Sequence, residues 1–149
     1  MTVPYRAYRR NKFATRLPED RLYTPAHFWL RAVEPGRFQV GFTRFATRML
    51  GEVVEFDFEV VAGSPIEAGQ VIGWIEGFKA VAELYTPLSG SFLGRNPELQ
   101  DRIGEIHSKP YDQGWLYSVA GDAPRDAFDA EGYAGFLDGT IDRMLGQDS

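Results

Sequence analysis

One stretch, from Val71 to Phe92, constrains the fold of this chain more than any other. It reads Val-Ile-Gly-Trp-Ile-Glu-Gly-Phe-Lys-Ala-Val-Ala-Glu-Leu-Tyr-Thr-Pro-Leu-Ser-Gly-Ser-Phe. Val71, Ile72, Trp74 and Ile75 precede a short centre, and Val81, Leu84 and Tyr85 follow it. Two β-prone runs split by a few residues that include glycine predict a β-hairpin. Gly77 is expected to take a positive φ and tighten the turn. Lys79 then projects from the tip. Lysine is scarce in the chain, three residues against thirteen arginines. An exposed charge in a turn ordinarily does nothing specific, so the role of Lys79 depends on what surrounds it.

On either side of the hairpin the chain reads as short strands separated by glycine and proline turns. From Glu52 to Val61 the alternation predicts a half-buried strand, with Val54, Phe56, Phe58 and Val60 on one face and Glu55, Asp57 and Glu59 on the other. Phe38 to Phe42 has the same alternation. Thr43 caps a predicted helix over Arg44 to Leu50, which Gly51 ends. Asn96-Pro97 opens a short helix that Gly104 closes. Asp126 to Leu145 suits an amphipathic helix, or two, capped by Asp126 or Asp129 and weakened by Gly132, Gly135 and Gly139. The fold class is therefore mainly β, a sandwich or barrel with short helices and a C-terminal helical segment. Phe56, Phe58, Trp74, Tyr85 and Trp115 are expected in one sheet-on-sheet core.

The 149 residues suggest one domain. We divide them into a basic N-terminal arm (1–20), a β domain (21–120) and a C-terminal helical extension (121–149). Residues 1–18 hold five cations and no acid, so the remainder carries −10 against a total of −5. An Arg-rich, acid-poor start suits an organelle transit segment or a basic arm. Its shortness, with Pro4 and Pro18, favours an arm that lies on the acidic body or on a partner. The net charge argues against general nucleic-acid binding. No run is apolar enough for a transmembrane helix, and we expect a cytoplasmic monomer. There is no cysteine, so any dithiol chemistry must come with a cofactor. No hydrolytic triad, paired-histidine metal spacing, GxGxxG or Walker pattern is present. Nothing in the residues alone describes an autonomous active site.

Several separated motifs, in order, resemble the glycine cleavage system H proteins. Glu76-Gly77-Phe78-Lys79-Ala80 and Leu84-Tyr85-Thr86-Pro87-Leu88-Ser89-Gly90 stand where that family has E-S-V-K-A and L-Y-S-P-V-S-G. Tyr23, Thr24, His27 and Trp29 match its Y-T-x-x-H-x-W opening. Pro110, Tyr111, Gly114, Trp115 and Leu116 match its D-P-Y-x-x-G-W-L. The resemblance covers roughly residues 21 to 145. It implies a flattened β-sandwich of the lipoyl-carrier type, with lipoate in amide linkage on Lys79 as the covalent cofactor. It also implies a carrier rather than an enzyme. Glu76, Gly77, Phe78, Ala80, Glu83 and Gly90 would serve recognition by a lipoate ligase or partners, and His27 and His107 would shelter the arm. By itself His27 is more simply a hydrogen-bonded structural histidine, and His107 a surface polar residue, although a histidine there has a titratable ring where the family has an amide. Glu76 and Glu83 are equally readable as solubilising charges.

In the resembling family the arm accepts an aminomethyl group from the P protein, delivers it to the T protein and is reoxidised by the L protein, a dihydrolipoamide dehydrogenase. Gly77-Phe78, Phe28 and His107 depart from that pattern. Such departures fit H-like lipoate-binding proteins of bacterial sulfur oxidation, whose partner is a heterodisulfide-reductase-like complex. From the sequence we place that reading slightly ahead of glycine cleavage. An unmodified interaction module is a third possibility. A biotin carrier is disfavoured because no methionine flanks Lys79.

Overall fold

Short alternating runs pair as antiparallel strands wherever a turn residue brings them together. In the computed structural model, which describes residues 3–146, the first pair is β1 (Tyr5–Arg10) with β2 (Phe13–Pro18). Then follow β3 (Leu22–Tyr23), β4 (Phe28–Glu34), β5 (Arg37–Phe42) and the helix α1 (Arg44–Leu50). Next come β6 (Val53–Phe58), β7 (Pro65–Ile66), β8 (Val71–Gly77), β9 (Val81–Tyr85) and β10 (Gly90–Arg95). A 3-10 turn (Pro97–Gln100), the short helix α2 (Glu105–Ser108), β11 (Tyr117–Gly121) and α3 (Ala130–Met144) complete the chain.

The strands form three sheets: β1-β2, the six-stranded β3-β4-β5-β11-β10-β7, and the three-stranded β6-β8-β9. The two larger sheets face one another across a core that includes Phe28, Leu30, Val40, Phe56, Phe58, Ile72, Ile75, Leu84 and Phe92. This is the mainly β sandwich expected from the sequence. A second core lies on the other side of β4, where Trp29 packs with Tyr8, Phe13 and Leu17 of the N-terminal hairpin and Tyr133, Leu137 and Ile141 of α3. Phe28, Trp29 and Leu30 are all buried, as expected of a strand covered on both faces.

α3 is one helix. Asp129 is its cap, its carboxylate accepting from the Gly132 N–H at 2.7 Å. Three glycines cost about 1 kcal/mol each, but the face carrying Tyr133, Leu137 and Ile141 gains about 1.5–3 kcal/mol per buried side chain, so it continues unbroken. The basic N-terminal residues form a hairpin laid on α3. Tyr8 donates to Asp138 at 2.8 Å, and Arg10 pairs with Asp138 at 3.3 Å and with Asp142 at 2.6 Å.

Three expectations about packing need correction. Val54 points outward, because the β6–β8 register shifts between Val53 and Glu55 and turns Val53 inward instead. Tyr85 is 47% exposed and Trp74 only half-buried; both lie on the outer face of the three-stranded sheet, while Ile72, Ile75 and Leu84 fill its inner face. Trp115 packs against the second core, not the sandwich core.

Candidate functional site

Lys79 is exposed at the turn between β8 and β9. The turn closes by a hydrogen bond from the Gly77 N–H to the Ala80 carbonyl, 2.8 Å. Two more fix the tip to the end of α1. The Phe78 N–H donates to the Glu52 carbonyl and the Lys79 N–H to the Leu50 carbonyl, each at 3.0 Å. The lysine therefore stands on backbone clamped from both sides, so its position does not depend on a free loop.

Gly77 does not supply a positive φ, contrary to expectation. It is buried, and a Cβ there would fall onto the Leu50 carbonyl oxygen and its side chain. Glycine is required by close approach, not by turn conformation. The left-handed residue sits across from it: Gly51, φ 79°, ends α1 by donating to the Thr47 carbonyl at 2.8 Å. The Lys79 side chain runs over that glycine. α1 was legible from Thr43 and Gly51, but nothing in the sequence marked it as the platform under Lys79.

Among the described residues the ammonium of Lys79 has one polar partner, the Arg48 carbonyl at 3.2 Å, and no carboxylate within ion-pair distance. Lipoate fits this position. An amide nitrogen keeps one N–H, which can still donate to Arg48, and acylation breaks no ion pair. Phe78, beside it, is 75% exposed. Glu76 and Glu83 are exposed on the outer sheet face, where Glu76 lies opposite Glu55 and Val81, and Glu83 opposite Trp74. Tyr85 donates to Glu83 at 2.8 Å, and this raises the Tyr85 pKa. Glu76, Gly77, Phe78 and Ala80 are thus gathered at the tip, with Glu83 further along β9.

The remaining candidates lie elsewhere. Gly90 belongs to the six-stranded sheet, where a side chain would meet the Ala120 carbonyl. His27 takes a left-handed φ of 70°. Its Nδ1 lies 2.8 Å from the Tyr133 hydroxyl, and its ring lies against Phe45 at 4.6 Å. Burial pushes its pKa down to about 4. His107 sits on α2, and its carbonyl accepts from the Arg44 guanidinium, which also reaches Ser108 at 3.3 Å. The Pro110–Trp115 motif supports Trp29: the indole N–H donates to the Pro110 carbonyl at 2.9 Å, and Arg21 lies over the ring at 4.6 Å. Among the described residues no cluster of histidine and acids could hold a metal, and no helix is long and apolar enough to cross a membrane.

The β-sandwich thus presents Lys79 exposed on a clamped hairpin tip. The family described as "Glycine cleavage H-protein" matches residues 21–131. A glycine cleavage system H protein of Corynebacterium jeikeium is 38% identical over 122 residues, 80% of this chain and 95% of its own. That of Edwardsiella ictaluri is 36% identical over 125 residues, 82% and 97%. The crystal structure of a glycine cleavage system H protein from Mycobacterium marinum superposes with a TM-score of 0.71 at 35% identity, covering 80% of this chain and 97% of that one. The chain belongs to the glycine cleavage H-protein family. These relatives are named for glycine cleavage, which reverses the order set from the sequence between that system and sulfur oxidation.

Proposed function

We propose that Lys79 is acylated by lipoate and that the chain is the lipoyl carrier of a glycine cleavage system. The observation that carries this is Lys79 itself, exposed on a rigid tip and held by one backbone carbonyl. When attached, lipoate supplies a cyclic disulfide that opens to a dithiol and carries the transferred group. The protein positions the root of that arm. Gly77 lets the tip approach Leu50, the clamping hydrogen bonds hold it, and tethering raises the arm's local concentration at partner sites. Glu76 and Glu83 give a lipoate ligase or partner with a basic surface a feature to steer towards. The partners are the P, T and L proteins.

The test is reconstitution. Lipoylated protein with P, T and L proteins and tetrahydrofolate, which takes up the one-carbon unit, should show glycine-dependent reduction of NAD, and Lys79→Arg should abolish it while leaving the melting temperature unchanged. A heterodisulfide-reductase-like partner is the second reading, supported by the exposed Phe78 beside the lysine. Glycine inactivity together with loading of the arm from thiosulfate would favour it.

A further inference from the structure

The helix under Lys79 carries charge of one sign. α1 holds Arg44 and Arg48 and no acid. The Arg44 guanidinium is turned to the carbonyls of His107 and Ser108, and that of Arg48 lies 5.7 Å above the Phe13 ring. The N-terminal hairpin brings a third cation beside them. Arg10 pairs with Phe13, so the hairpin turns at Asn11 and Lys12, and Asn11 takes a left-handed φ of 54° that asparagine tolerates. Lys12 stands exposed in that turn and lines one cavity wall with Arg48 and Met49. Among the described residues none of Lys12, Arg44 and Arg48 has a carboxylate partner, and the nearby Asp138 and Asp142 are taken up by Arg10. This cationic flank reaches the carrier site, because the Arg48 carbonyl accepts from the Lys79 side chain and the Leu50 carbonyl from its N–H. On the other side of the tip Glu55, Glu76 and Glu83 are exposed on the outer sheet face. Around the tip Phe78, Val81 and Met49 leave apolar atoms open to solvent.

We propose that this flank is a docking surface for an enzyme that receives the Lys79 arm, and that the enzyme's entrance presents carboxylates to Lys12 and Arg48. The inference rests on the reading of Lys79 as the lipoyl site of a glycine cleavage carrier, and adds to it the chemistry and orientation of the partner. Cations on one side of the tip and acids on the other give it a charge gradient. A partner with acids towards α1 and bases towards the outer sheet is attracted, and the same partner turned about is repelled at both rims. Phe78, Val81 and Met49 then supply the apolar centre of the contact. Rim charges act on encounter more than on the chemistry that follows, so the flank selects which enzyme meets the arm and how it is turned. Acylation removes the charge of Lys79 and leaves those of Lys12 and Arg48, so the loaded carrier keeps the flank.

The test uses protein shown by mass to be fully lipoylated, as the limiting component of the reconstituted P, T and L system with tetrahydrofolate. Lys12→Glu and Arg48→Glu should each lower kcat/KM for the carrier about tenfold or more at low salt, with kcat kept. The wild-type value should fall as salt rises, and those of the variants less steeply. Arg125→Glu makes the same charge change beside Tyr85 and Thr86, at the end of β9 away from Lys79, and should match wild type. Lys12 lies in an exposed turn, so Lys12→Glu carries the test where Arg48→Glu lowers the melting temperature. Zero-length carbodiimide coupling should also join Lys12 to a carboxylate of the P, T or L protein. Wild-type kinetics in Lys12→Glu, or a loss equalled by Arg125→Glu, would overturn the docking surface. Cross-links from Lys12 only to a second copy of the chain would overturn it too, because the flank then serves self-association. Lipoylated wild type that turns over no glycine would instead refute the glycine cleavage reading, and the inference with it.

Discussion

The smallest residue near the site carries the sharpest constraint. Gly77 has no room for a Cβ beside the Leu50 carbonyl, and backbone cannot move aside as a flexible side chain does. Gly77→Ala should therefore cost about 1–3 kcal/mol, the range for overpacking, measured as a lower urea midpoint. An unchanged midpoint would show that the tip does not rest on Leu50. His27 makes a prediction about pH. Burial pushes its ring down to about 4, whereas an unfolded chain protonates near pH 6.5. The neutral ring's contribution to stability is complete above about pH 6.5 and is lost as pH falls towards 4, about 3 kcal/mol in all. Asparagine tolerates a positive φ and does not titrate. His27→Asn should thus remove that part of the acid-side loss in unfolding free energies measured at pH 7, 5 and 4. Identical slopes for the two proteins would contradict it.

Elements were more legible in the sequence than faces. The hairpin, α1 with its Thr43 cap, and the Phe38–Phe42 strand follow from alternation, turn residues and capping. The outward turn of Val54 does not, because a bulge between Val53 and Glu55 shifts the strand register, and Tyr85 faces outward because it alternates with the buried Leu84 on β9. The bulge lets Val53 and Phe56, three residues apart, share the inner face. Phe56 lies 5.9 Å edge-on to Phe58. Phe56→Ala should cost about 3–5 kcal/mol, read from the denaturation midpoint, and a loss under 1 kcal/mol would place Phe56 outside the sandwich core. The candidate site was legible only in part. Lys79 and its neighbours in the chain stood out, while Leu50, Glu52 and Arg48, which clamp its backbone or receive its ammonium, are distant in sequence and nothing there marked them as partners of the tip.

At the scale of the whole molecule, the carrier sandwich has a second core added to one side. Its N-terminal hairpin is held by packing more than by charge. The ion pairs of Arg10 are open to solvent, which screens them, whereas the fully buried Leu17 contributes about 1.5–3 kcal/mol. The added core leaves the outer face of the three-stranded sheet and its tip uncovered, so Lys79 remains exposed. Peptide mass spectrometry of protein made with a lipoate ligase and lipoate tests this account most directly. The account predicts a lipoyl group on Lys79 and on neither Lys12 nor Lys109; an unmodified Lys79, or modification at either of the other two lysines instead, would contradict it.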